Sequence, residues 1–104
     1  MLDNTKANLL LDYYEDLLTS HQISILNDYF KDDLSMSEIA ENNHISKAAV
    51  SDIIKRSVKQ LEFYENKLNL VKQASKLDKI INELEKGDKQ SKQIANKLIN
   101  IFRR

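Results

Sequence analysis

Apolar residues along this chain recur at steps of three and four, the spacing that lines one face of an α-helix. Leu10, Tyr13, Tyr14, Leu17 and Leu18 mark a first helix, capped by Asp3 or Thr5 and reaching Leu18. Thr19 and Ser20 interrupt it. Either can cap the next helix, because a hydroxyl accepts a hydrogen bond from a free amide of the first turn. A second helix over about His21 to Lys31 places Ile23, Leu26, Tyr29 and Phe30 on one face and ends in the polar pair Asp32-Asp33. Ser35-Met36-Ser37-Glu38 has capping-box spacing and opens a short third helix with Ile39 and Ala40 on its inner side. That helix stops near Asn42-Asn43-His44, residue types that tolerate the left-handed backbone of a sharp exit.

Ser46 caps a fourth helix that runs from Lys47 to about Lys72, although the Lys72–Ser75 stretch allows either a break or a continuation. Val50, Ile54, Val58, Leu61, Tyr64, Leu68 and Val71 form a continuous apolar stripe along it. Its C-terminal half needs cover from the first helix, from the C-terminal segment or from a second chain. Ser75 can cap a fifth helix, Lys76–Lys86, with Leu77, Ile80, Ile81 and Leu84 inside. Gly87 suits the position after a helix end, where positive φ costs little. Asp88 then caps a last helix, Lys89–Phe102, with Ile94, Leu98, Ile101 and Phe102 on one side, and Arg103-Arg104 frays.

Composition agrees with a helical reading. Pro is absent and Gly occurs once, whereas sheets and long loops draw on both at their turns. With 104 residues the chain suits one domain, 1–104, with a basic helical extension over about 72–104. No cysteine is present, so disulfides and thiolate metal sites are excluded, which suits a reducing cytoplasm. No apolar run approaches the roughly 20 residues of a membrane span. Nor does the start, Met1 to Lys6, have the charged-then-apolar pattern of a signal peptide. The expectation is a cytoplasmic protein with no membrane partner.

Charge adds a polarity that the zero net charge hides. Residues 1–44 hold two cations against nine acids, a net of −7, and residues 45–104 hold fourteen against seven, a net of +7. The basic half would attract a phosphate backbone. Alternatively, the two halves are solvated faces that attract each other.

Within this frame Ser35 to Arg56 has the order of a helix-turn-helix unit, which extends to about Lys59. Ala40 is small where the second helix crosses, and Ile39, Ile45, Val50 and Ile53 form the wedge between the two helices. His44 takes the turn position that Gly commonly holds, at a cost of about 1 kcal/mol for a left-handed backbone. It reads as a polar turn residue, since no second His lies near enough to suggest a metal site. In DNA-binding units of this kind the second helix enters the major groove with its N-terminal residues leading. Ser46, Lys47, Ala48, Ser51, Asp52 and Lys55 would then face outward, with Arg56 and Lys59 on the next turns. Ser46, Lys47, Ser51, Lys55, Arg56 and Lys59 are the candidate nucleic-acid contacts, to base edges or phosphates. The set lacks Arg, Asn and Gln at the leading positions, and Asp52 would oppose phosphate, so it describes a poor sequence-specific reader.

Leu17-Leu18-Thr19, Gln22, Tyr29, the run Leu34 to Glu41 and the run Ile45 to Arg56 resemble region 4 of bacterial sigma factors. Tyr13-Tyr14 and the extension through Leu61-Glu62, Tyr64-Glu65 and Lys67-Leu68 are more similar still to the YlxM family of small helix-turn-helix proteins. The likeness runs from about Asn8 to Leu70 and weakens in the C-terminal third. It implies an all-α fold: a sigma region 4-like helix-turn-helix with an N-terminal helix, a long fourth helix and C-terminal helices. It also implies a cytoplasmic bacterial protein with a regulatory or accessory role in the signal recognition particle pathway. Its partners would be DNA, RNA or components of that particle. Promoter recognition is not implied, because the rest of a sigma factor is missing.

Catalytic chemistry finds little support. One glycine cannot build a phosphate loop, and His21 and His44 are far apart in sequence. Asp32-Asp33 sits at a helix end, where exposed acids are common. The expectation is a binding protein with no catalytic residues, metal site or cofactor. The alternative is a protein–protein docking module or dimerising scaffold without nucleic-acid contact, in which Leu61, Leu68 and Val71 would form a homodimer seam.

Overall fold

The computed structural model describes residues 2–102, Phe102 for its backbone only; Arg103-Arg104 and the expected inward placement of the Phe102 side chain lie outside this description. The described residues form α1 (Asn4–Tyr14), a 3-10 turn (Glu15–Leu17), α2 (Ser20–Phe30), α3 (Met36–Asn43), α4 (Lys47–Leu68), α5 (Leu70–Glu85) and α6 (Lys89–Phe102). The protein is all-α, as the hydrophobic spacing predicts.

Local chemistry sets most of the boundaries. Asp3, not Thr5, caps α1, its carboxylate accepting the Lys6 amide at 2.8 Å. The α-helix stops at Tyr14, four residues short of the expected end, and the 3-10 turn carries the chain to an extended, buried Leu18. Tightening the helix in this way turns Leu17 outward, half exposed at 51%. The inner face of α1 is Ala7, Leu10, Leu11 and Tyr14, and Tyr13 lies outside it. Thr19 caps α2 in a reciprocal box: its hydroxyl accepts the Gln22 amide at 3.2 Å, and the Gln22 side chain accepts the Thr19 amide at 2.9 Å. Ile25, Leu26 and Phe30 are the buried residues of α2, and the expected Ile23 and Tyr29 are only half-buried. Asp33 then turns left-handed, φ 55°, and starts the path into α3.

Two compact units result, one through Leu68 and one from Asn69. In the first, α1, α2 and α3 all pack on α4. Its core takes Leu10, Leu11 and Tyr14 from α1, Ile25, Leu26 and Phe30 from α2, Ile39 and Ala40 from α3, and Val50, Ile54, Val58 and Leu61 from α4. Each large aliphatic side chain fully buried here contributes about 1.5–3 kcal/mol of hydrophobic stabilisation.

The second unit is the hairpin of α5 and α6. Its start differs from the expected one. Asn69 adopts a left-handed conformation, φ 56° and ψ 30°, so α4 ends at Leu68 and α5 begins at Leu70. Asn tolerates that conformation better than most side chains, which lets the helix break without Gly or Pro. Ser75, expected as a cap, lies within α5, and Val71 belongs to α5 rather than to the α4 stripe. Ile81 and Ala95 are the fully buried pair of the hairpin, while Ile80, Ile94 and Ile101, expected inside, are 50%, 44% and 61% exposed. Gly87 does not take a positive φ, contrary to the expectation. It is needed for space: a Cβ there would lie 2.9 Å from the Ser91 Cβ in the first turn of α6.

Candidate nucleic-acid interface

The helix-turn-helix corner forms from three local devices. Ser35 caps α3, its hydroxyl accepting the Glu38 amide at 3.1 Å while Glu38 accepts the Ser35 amide at 3.1 Å. His44 takes the left-handed conformation that its turn position requires, φ 56° and ψ 40°, and the Ile45 amide donates back to the Ala40 carbonyl at 3.1 Å. Ser46 caps α4, its hydroxyl accepting the Ala49 amide at 3.0 Å. The His44 and Ile45 amides therefore both donate back to the end of α3, which lets the corner be tight.

Packing then fixes α4 against α3. Ala40 is buried, 7% exposed, and Ile39 and Val50 are fully buried, with Ile45 and Ile53 half-buried at the edge of the wedge. Farther along, the buried face of α4 carries a polar residue, Ser57, between Ile54 and Leu61. Gln22 of α2 donates to the Ser57 hydroxyl at 3.1 Å and to the Gln60 side-chain oxygen Oε1 at 2.8 Å, and the Gln60 side-chain Nε2 donates to the Tyr64 hydroxyl at 3.2 Å. Tyr14 donates to a Glu65 carboxylate oxygen, and its ring lies 6.1 Å from that of Tyr64. These bonds set the rotation of α4, because sliding or turning the helix would strand Ser57 without a partner in the core. Sequence reasoning did not find them. The available signal was Ser57 itself, a polar residue three past Ile54 on a stripe that should be apolar.

With one face of α4 buried, the opposite face is set by elimination. Ala48, Asp52, Lys55 and Lys59 step by four, three and four along it, and all are exposed. Ser46 and Lys47 are exposed at the leading end, and Ser51 is half-buried at the edge of the face. Lys55 and Lys59 come together with Val58 and Glu62 around an open depression of about 330 Å³. Arg56 is also outward, its side chain 78% exposed, and pairs with Asp52 at 3.0 Å. The pair orients the guanidinium and cancels the carboxylate. Lys47 to Lys59 holds four cations and one acid, a net of +3 on one rod-like element. The arrangement can bind anions along a line but has little with which to read bases.

The sequence profile of the YlxM/p13-like helix-turn-helix proteins, UPF0122, matches residues 1–101. The chain belongs to this family. The match reaches beyond Leu70, so the hairpin of α5 and α6 is part of the family's pattern along with the helix-turn-helix unit. The UPF0122 protein YlxM of Bacillus subtilis (strain 168) is 43% identical over 94 residues, covering 88% of this chain and 86% of that protein. A UPF0122 protein of Clostridium botulinum (strain Alaska E43 / Type E3) is 39% identical over 103 residues, 99% of this chain and 94% of its own length. A third, from Bacillus licheniformis, is 48% identical over 82 residues, 79% of this chain and 77% of its own length. Among the described residues no helix is long and apolar enough to cross a membrane, and no three His, Cys, Asp or Glu side chains gather as a metal site.

Proposed function

We propose that this family member is a non-enzymatic, cytoplasmic regulatory or accessory protein that contacts nucleic acid through the exposed face of α4. The observation that carries the reading is the division of α4: Val50, Ile54 and Leu61 are locked inward while Lys47, Lys55, Arg56 and Lys59 project from the rest of the helix. Lys47 at the start of α4 meets the backbone or a base edge first, Lys55 and Lys59 follow the phosphates, and Ser46 and Ser51 donate hydroxyl hydrogen bonds. Arg56 joins them by exchanging Asp52 for a phosphate oxygen. Affinity therefore comes mainly from charge. Place in the signal recognition particle pathway rests on resemblance to the YlxM family; co-purification of that particle's RNA or protein with the tagged chain would test it.

Fluorescence anisotropy with a duplex DNA and a hairpin RNA, each over a salt series, tests the contact. If all four cations reach phosphates, log K falls against log salt with a slope of about −3.6 on duplex DNA. The double variant Lys47→Glu/Lys55→Glu should cut that slope roughly in half. Absence of binding to both probes at low salt, or a double variant that binds like the parent, removes the proposal. A protein-docking module without nucleic-acid contact is then the better reading. It is favoured by Phe63 and Leu68, 56% and 47% exposed on the C-terminal half of α4.

A further inference from the structure

The hairpin buries too little to be covered by itself. It spans residues 69–104, and Ile81 and Ala95 are its only fully buried side chains among the described residues. Units of this size without disulfides or metal usually need a partner surface. Three of its four uncovered large apolar residues among those described, all but Leu70 at the start of α5, lie on one side. Ile80 precedes Ile81 by one position and Ile94 precedes Ala95 by one, a rotation of about 100° on each helix. In an antiparallel pair that rotation brings both to the same side, and Ile101 lies two turns beyond Ile94 on it. These three isoleucines are 50%, 44% and 61% exposed. Lys76, four residues before Ile80, and Lys97, between Ile94 and Ile101, flank them and are exposed. From Lys89 to Phe102 α6 carries no acid, and residues 69–104 hold nine cations against four acids, a net of +5.

A complementary surface exists on the first unit. Leu9 and Tyr13, one turn apart on α1, are 43% and 44% exposed, with Leu17 at 51% in the 3-10 turn after them. Asp12 and Asp16 flank this patch and are exposed. Residues 1–68 hold seven cations against twelve acids, a net of −5. Apolar residues of similar exposure are thus edged mainly by carboxylates here, with Lys6 one turn before Leu9, and mainly by ammonium groups on the hairpin, with Glu83 one turn after Ile80. Two hairpins packed against each other would bring like charges together, which is unfavourable.

We propose that the protein forms a reciprocal homodimer in which the isoleucine face of each hairpin docks on the Leu9–Tyr13–Leu17 patch of the other copy. Lys76 and Lys97 lie against Asp12 and Asp16. Two equal interfaces close the assembly on a two-fold axis. This differs from a seam of Leu61, Leu68 and Val71, from which Leu61 is removed by being fully buried in the first unit.

Sedimentation equilibrium on the full chain should give twice 12.1 kDa, with self-association weakening as salt rises. Asp12→Lys/Asp16→Lys in one chain, or Lys76→Glu/Lys97→Glu in another, should each weaken self-association by about tenfold or more. Mixing the two variants should restore a dimer, since both interfaces then pair opposite charges, and misfolded chains could not give that rescue. A monomer at all concentrations overturns the proposal. So does a dimer indifferent to both charge swaps, as hairpin-to-hairpin pairing would give, or a mixture that stays unpaired. None of these outcomes depends on nucleic-acid binding.

Discussion

The corner between α3 and α4 turns on one backbone conformation, and replacing His44 measures its worth. His44 holds φ 56° and ψ 40°, and its side chain is exposed, so a substitution there changes conformational preference with little loss of packing. An L-residue in this region costs about 1–2 kcal/mol. Glycine avoids that cost but adds freedom to the unfolded chain worth about 0.5–1 kcal/mol. The difference leaves His44→Gly more stable than the parent by about 0.5 kcal/mol, with His at the tolerant end of the range. His44→Asn should be near neutral, His44→Ala slightly destabilising, and His44→Val worst, by at least about 1 kcal/mol, because a β-branched side chain is a true outlier at positive φ. Urea unfolding followed by far-UV circular dichroism would read these as midpoint shifts at constant slope. With a slope of about 1–3 kcal/mol/M, the glycine gain is a shift of about 0.2–0.5 M. A valine variant as stable as the parent, or a glycine variant less stable by a similar margin, would refute the claim that the corner depends on this conformation.

Two further outcomes follow from the hairpin. Gly87→Ala should destabilise it by about 1–3 kcal/mol through overpacking, since the new methyl would sit 2.9 Å from the Ser91 Cβ; amide exchange along α5 and α6 would report the loss, and unchanged protection would show that the turn has slack. Asp88 caps α6 by accepting the Ser91 amide at 2.9 Å, and that backbone bond, with help from the Ser91 hydroxyl and the Gln90 amide, holds its carboxyl below the ordinary aspartate range. Because the folded value is depressed, the cap is fully present above the ordinary value of about 3.9 and is lost as pH falls through the lowered one. An NMR titration of the Ser91 amide should show this fraying at acid pH in the parent and not in Asp88→Asn, and a parent signal flat through that range would contradict it.

Sequence alone determined what depends on neighbours within about five residues: the hydroxyl caps at Ser35 and Ser46, a cap at one of Thr19 and Ser20, the box closed by Glu38, the exit at His44 and the helical periods themselves. Each is a contact between groups that the covalent chain already holds close, so residue type and spacing suffice. The outward positions of α4 were legible for the same reason, once Val50 and Ile54 were assigned inward. What the tertiary structure decided is which of two adjacent apolar residues turns in, as with Ile81 over Ile80 and Ala95 over Ile94, because that depends on how closely another helix approaches. It also decided the bond of Gln22 to Ser57, 35 residues away, and the break at Asn69, where no Gly or Pro marks the end of α4. Periodicity gives each helix an apolar side, but the depth and rotation of that side are set by partners distant in sequence, which spacing along one strand of residues does not encode.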